Sequence, residues 1–170
     1  MKKAITIIAL LVISTLTFAG KPLKVKSGDA NFLKEEAVAK IEMDYSNTTW
    51  EKKTPYQEFC AEEYDGRVAQ SGISFIEGFN TTSKTLKLTN ADEEAQYTLV
   101  VHVADLERKF QDIAYFYIRV CGTITVVDNQ TGEEVCEIEI DKLSGSASFV
   151  PNDRLASCFK TLGIKLAKLK

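Results

Sequence analysis

The sequence predicts an α/β domain of the α+β type, a mixed β-sheet with two helices packed on one face. Three observations predict it. Residues 37–45, 97–107 and 116–140 alternate apolar and polar side chains with the period of two that a half-buried strand requires. Residues 56–79 and 155–169 carry apolar side chains at spacings of three and four, the mark of an amphipathic helix. After a leader is set aside, roughly 150 residues remain, the size of one domain with its own core.

Residues 1–19 read as a secretory signal peptide. Lys2 and Lys3 supply the basic start, residues 4–18 the apolar core, and Thr17-Phe18-Ala19 a site for cleavage before Gly20 or Lys21. The apolar run falls short of the roughly 20 residues a spanning helix needs. No cysteine adjoins the cleavage site to carry a lipid. The mature chain is therefore expected to be periplasmic or secreted, with no transmembrane segment.

Residues 20–36 read as a polar N-terminal extension anchored by Leu23, Val25, Phe32 and Leu33, and residues 37–170 as the domain. In residues 37–45, Ala37, Ala39, Ile41, Met43 and Tyr45 share one strand face. Residues 47–53 are a connection holding the sole tryptophan, Trp50. Thr54-Pro55-Tyr56-Gln57 reads as a capped helix start. That helix is expected to reach Asn80, with Gly66 and Gly72 as candidate breaks. A short strand follows in residues 85–89. In residues 97–107, Tyr97, Leu99, Val101 and Val103 form one face, with His102 on the other. After residues 143–150, a small-residue crossover, Pro151-Asn152-Asp153 opens a final helix with Asn152 or Asp153 as cap. Its stripe is Leu155, Phe159, Leu162, Leu166 and Leu169.

The hairpin in residues 113–141 carries the strongest signal. Phe116, Ile118, Val120, Ile124 and Val126 are the apolar face of its first strand. Tyr115, Tyr117, Arg119, Cys121, Thr123 and Thr125 are the other. After the turn at residues 128–132, where Gly132 supplies a positive φ, Cys136, Ile138 and Ile140 alternate with acids. A shared apolar face requires Ile124 to pair with Cys136 or Ile138. Pairing with the preceding strand then places His102 opposite Tyr115, Tyr117 or Arg119.

The chain has four cysteines. Cys121 and Cys136 fall on opposite faces, so they should not bond within the hairpin. Cys60 and Cys158 both fall in helical segments expected over one sheet face. A Cys60–Cys158 disulfide and free buried thiols are the alternatives. There is no C-x-x-C and no Cys/His spacing for a metal, and no cofactor is expected. A net charge of −3, from 21 basic and 24 acidic residues spread along the chain, argues against a nucleic-acid partner. Gly-rich phosphate loops and G-x-S-x-G are absent from the sequence. A thiol hydrolase would need His102, the sole histidine, beside Cys121. An offset of four residues at ~3.3 Å each separates them by about 13 Å, beyond a hydrogen bond.

One surface rises above this background. Tyr115, Tyr117 and Arg119, joined by His102, would cluster on the sheet face away from the helices. Tyrosine and arginine are frequent anchors of binding surfaces. An ordinary half-exposed β face, or a face covered by residues 21–36, are the other readings.

The element order resembles the N-terminal domain of TolB and the related CsgG and LpoB folds. The matching segments are FIEGFN at residues 75–80, YTLVVHVADLE at 97–107, GTITVVDNQTGEEVCEIEI at 122–140 and DRLASCFKTLGIKLAKL at 153–169. The chain also resembles a group of exported Gram-negative proteins of unassigned activity that share the style of SGDANFLKEEAVAKIEMDYS, residues 27–46. The resemblance implies a non-enzymatic envelope protein that binds other proteins. The chain lacks the TolB propeller and the CsgG and LpoB lipobox. The sequence thus leads to an exported module binding an envelope protein or polymer, self-association included, with a small periplasmic hydrolase as the alternative.

Overall fold

The computed structural model describes residues 21–91, 94–111, 116–148 and 150–169; the leader expected at residues 1–19 lies outside them. The strands are β1 (Leu23–Gly28), β2 (Val38–Asp44), β3 (Thr49–Trp50), β4 (Thr54–Pro55), β5 (Lys87–Thr89), β6 (Tyr97–Phe110), β7 (Phe116–Asp128) and β8 (Glu134–Ser144). The helices are α1 (Tyr56–Cys60), α2 (Tyr64–Thr82) and α3 (Pro151–Leu166). One mixed sheet runs β1-β8-β7-β6-β2-β5, with β3 beside β6 and β4 paired to β3. β2 is parallel to β5 and β6, whereas β6, β7, β8 and β1 are successively antiparallel.

The alternation in β7 and β8 sets their register. Ile124 pairs with Ile138 and Val126 with Cys136. These four side chains are fully buried, each such apolar side chain contributing roughly 1.5–3 kcal/mol. Gly132 holds the turn at φ 73°. Cys136 is buried while Cys121 stands half-exposed on the opposite face.

Both long helices pack on the face bearing Ala39, Ile41, Leu99, Val101, Val120 and Ile138. α2 lies over β2 and β5, α3 over β7 and β8. Phe75 and Phe79 from α2, and Leu155, Phe159, Leu162 and Leu166 from α3, complete the core. The helices meet backbone to backbone. A Cβ at Gly78 would sit 2.1 Å from the Lys160 carbonyl oxygen, and one at Gly163 would sit 2.2 Å from that of Phe75. Only glycine permits that approach at either position.

Several expectations are corrected. The N-terminal extension supplies β1, an edge strand with Leu23 paired to Ile140, and so does not cover the outer sheet face. Residues 47–53 hold β3, which runs parallel to β6 with Trp50 paired to Leu106. Thr54 and Pro55 form β4, and α1 starts without a side-chain cap. The helix breaks at Ala61, held at φ 49°, rather than at Gly66 or Gly72, both of which lie inside α2. Val150 is the N-cap of α3 and Pro151 its first residue, so neither Asn152 nor Asp153 caps it. The four cysteines are free thiols, so the Cys60–Cys158 disulfide is not formed. Cys158 turns into the sheet side of α3, its Sγ donating to the Leu143 carbonyl at 3.5 Å. Cys60 ends α1, a separate short helix, in the surroundings of Tyr56 and Arg67.

Candidate functional site

The outer sheet face is built by the side chains of β6 and β7 that point away from the helices. Along β7 these are Tyr117, Arg119, Cys121, Thr123 and Thr125, all half-exposed. β7 is regular, so this face keeps odd numbering throughout. β6 is not regular. Its register against β7 shifts between Val103 and Asp105, leaving Ala104 as a bulge. Before the bulge, even-numbered residues such as His102 face outward. After it, the odd-numbered Asp105, Glu107 and Lys109 do, and Leu106 enters the core.

The bulge and strand lengths divide the cluster expected from the sequence. His102 pairs with Thr123, not with Tyr117 or Arg119. Arg119 lies four residues farther along β7, about 13 Å away, and Tyr117 about 20 Å. Tyr115 lies outside the described residues. Tyr117 and Arg119 do form a pair, with the Arg119 Nη2 donating to the Tyr117 Oη at 3.4 Å and its guanidinium 5.7 Å from that ring's centroid. Opposite them stand Lys109 and Glu107. The Lys109 ammonium, 2.6 Å from the Glu107 carboxylate, holds that carboxyl below its usual range, assisted by Arg119 and Lys52.

The middle of the face holds residues that sequence reasoning did not assemble. Asp44, at the end of β2, lies opposite His102. Its Oδ2 is 2.7 Å from the His102 Nδ1. Its Oδ1 accepts from the Ser46 hydroxyl at 2.6 Å and from the Ser46 N–H at 2.9 Å. These Ser46 hydrogen bonds, then His102, lower the Asp44 carboxyl to about 2. Lys26, Asp44, His102, Cys121, Glu139 and Asp141 line one cleft of about 580 Å3.

Both neighbours of β7 bulge at Cys121-Gly122. β6 does so at Ala104, and β8 does so between Ile140 and Leu143, where Lys142 takes φ 48°. A Cβ at Gly122 would lie 2.0 Å from the His102 carbonyl oxygen, so the step needs glycine. Bulges re-aim side chains and concentrate beside functional sites. The first bulge frees the Val103 carbonyl, which accepts from the buried Thr48 hydroxyl at 2.6 Å. Asp105 is 6% exposed beneath the β3–β4 hairpin, its Oδ1 accepting from Thr49 Oγ1 at 2.5 Å and Lys52 N at 2.8 Å.

Cys121 and His102 are therefore diagonal neighbours, offset by two residues instead of the expected four, on the order of 7–8 Å between backbones. Burial pushes the Cys121 thiol up, the Lys142 N–H draws it partly back, and Glu107, Asp141 and Asp105 push it up again. Among the described residues, no group of three or more His, Cys, Asp or Glu side chains is arranged to hold a metal.

No family model and no curated protein matches the chain. Among solved structures, a PelC dodecamer from Paraburkholderia phytofirmans is 15% identical, covers 85% of this chain and 94% of its own, and has a TM-score of 0.43. A single-residue variant of the same dodecamer is 16% identical, with 85% and 95% covered and a TM-score of 0.40. TM-scores this low assign neither a fold family nor an activity to the chain. Among the described residues, no helix is long and apolar enough to cross a membrane.

Proposed function

We propose that the chain is an exported, non-catalytic envelope protein that binds a protein or an envelope polymer through its outer sheet face. The observation that carries this reading is the outer face itself, which the β3–β4 hairpin covers at Asp105. Neither long helix packs on it, and it presents half-exposed tyrosine, arginine, hydroxyl and ionised side chains along β6 and β7. Arginine and tyrosine held in fixed geometry by each other, as Tyr117 and Arg119 are, lose little side-chain freedom on binding. The basic, apolar leader of the sequence and its resemblance to TolB-type domains support a periplasmic setting.

The test replaces Tyr117 and Arg119 together with alanine and repeats a pull-down from envelope extract, with a tagged second copy of the chain included. Loss of a partner captured by the unaltered protein supports the reading. If every captured partner survives, that face is not the site.

A small hydrolase is the second reading, favoured by Cys121, His102 and Asp44 lining one cleft. The Asp44–His102 contact would orient an imidazole, as a thiol nucleophile requires. The upward push on Cys121 opposes it, because activation requires a lowered thiol pKa. Hydrolysis of a thioester or ester panel that Cys121→Ser abolishes would favour this reading over the first.

A further inference from the structure

We infer that the end of the sheet where β6 stops and β7 begins is a docking surface for an anionic membrane surface. Phe110 and Phe116 close the β6–β7 ladder there, their ring centroids 5.8 Å apart. Phe110 is 65% exposed and Val150 51%. Among the described residues, four large apolar side chains stand exposed, and these two share this one end. Ser148 joins them, its N–H donating to the Phe116 carbonyl and its hydroxyl accepting from the Val150 N–H.

Cations surround the apolar tip. The Arg108 guanidinium lies 5.4 Å from the Phe110 centroid and 5.5 Å from that of Phe116. Buried Arg154 stacks on Phe116 and donates to the Ser148 carbonyl, which fixes the ring from below. Lys52 and Lys53 are exposed in the cleft beside Phe110. With Lys109 and Arg119, six basic side chains gather here against Glu51, Asp105 and Glu107. Glu51 and Glu107 already face Arg108 at 3.6 Å and Lys109 at 2.6 Å. Among the described residues, this end of a chain of net charge −3 thus gathers more cations than carboxylates, even with buried Arg154 set aside.

That combination selects the occupant. Exposed aromatic and aliphatic side chains ringed by lysine and arginine fit the boundary between acyl chains and anionic headgroups, where the rings enter and the cations meet phosphate. This inference does not depend on the outer-face reading. Tyr117 and Arg119 lie on the neighbouring part of β7, so a protein seated on a membrane by this end would hold its outer face beside the lipid.

The test is co-sedimentation of the processed chain, its N-terminus checked by mass, with vesicles of phosphatidylglycerol and phosphatidylcholine or of phosphatidylcholine alone. Binding is expected to the anionic vesicles, weakening as salt rises. Phe110→Ser should weaken it about tenfold. Lys52→Gln with Lys53→Gln should weaken it about 25-fold. Lys21→Gln with Lys24→Gln, at the β1 edge, should leave it unchanged, and circular dichroism should show each variant folded. Equal binding to phosphatidylcholine alone, absence of binding, or equal loss in the β1-edge variant overturns the inference. So does capture of an acidic protein by this end without vesicle binding. Failure here leaves the Tyr117 and Arg119 pull-down untouched.

Discussion

Replacing Gly163 by alanine should loosen the whole helical layer. The new Cβ would lie 2.2 Å from the Phe75 carbonyl oxygen and 2.7 Å from the Phe79 nitrogen, where ordinary contact begins near 3.4 Å. Backbone cannot rotate away as a side chain can, so α2 and α3 must separate by about 1 Å. A radial gap of that size forfeits a quarter to a half of each dispersion contact across the crossing. Overpacking of this kind costs about 1–3 kcal/mol, and alanine returns at most about 1 kcal/mol of helix propensity. The net expectation is a loss of roughly 1–2 kcal/mol, a fall in Tm of about 2–8 °C for a chain of this size. Gly66 in α2 is the control, because a Cβ there meets nothing within 4 Å. Gly66→Ala should raise Tm by about 1–4 °C. Urea and thermal unfolding followed by far-UV circular dichroism measure both. A Gly163→Ala protein as stable as the unaltered chain would refute the backbone-contact reasoning.

Other outcomes follow from the site and its supports. Because the Asp44 carboxyl is lowered from 3.8 to about 2 in the folded protein, its contribution is complete above pH 3.8 and is lost as pH falls toward 2. Asp44→Asn should therefore lower stability at neutral pH and flatten the loss between pH 4 and 2, measured by urea titration at each pH. Thr48→Val should cost about 1–3 kcal/mol, since it strands the Val103 carbonyl at the β6 bulge; chemical denaturation measures it. Cys136 and Cys158 are fully buried, with thiols pushed up by burial to about 11 and about 12. Iodoacetamide at pH 8.5 should label Cys121 first in the native protein, as located by peptide mass mapping. A native chain with no free thiol at Cys60 and Cys158 would contradict the free-thiol state.

Residue alternation made the hairpin legible. The even-numbered apolar set of β7 could meet that of β8 only with Ile124 opposite Cys136 or Ile138, and the second register is present. The helical stripes led equally directly to Phe75, Phe79, Phe159 and Leu162. The middle cleft was not legible, because two bulges create it and a bulge changes which face a residue serves. One trace was present: apolar positions in β6 move from odd, at Leu99, Val101 and Val103, to even at Leu106. Read as a phase change, that shift places the bulge at Ala104 or beside it and moves His102 away from Arg119. Asp44 was harder to find, since a parallel pairing between β2 and β6 leaves no local mark. The β1 strand had the alternation of Leu23 and Val25 with lysines, but over too few residues to outweigh its polar surroundings.

The seating of β1 governs the order in which the chain can assemble. Leu23 pairs with Ile140, 117 residues away in sequence. The strands β6, β7 and β8 are sequential neighbours and can find one another through short loops. β1 is the first strand to be made yet has no partner until β8 exists. Loop closure over such a span must precede any reward from its hydrogen bonds. Completion of the sheet is therefore deferred until β8 has been made, which leaves the β1 edge to close last.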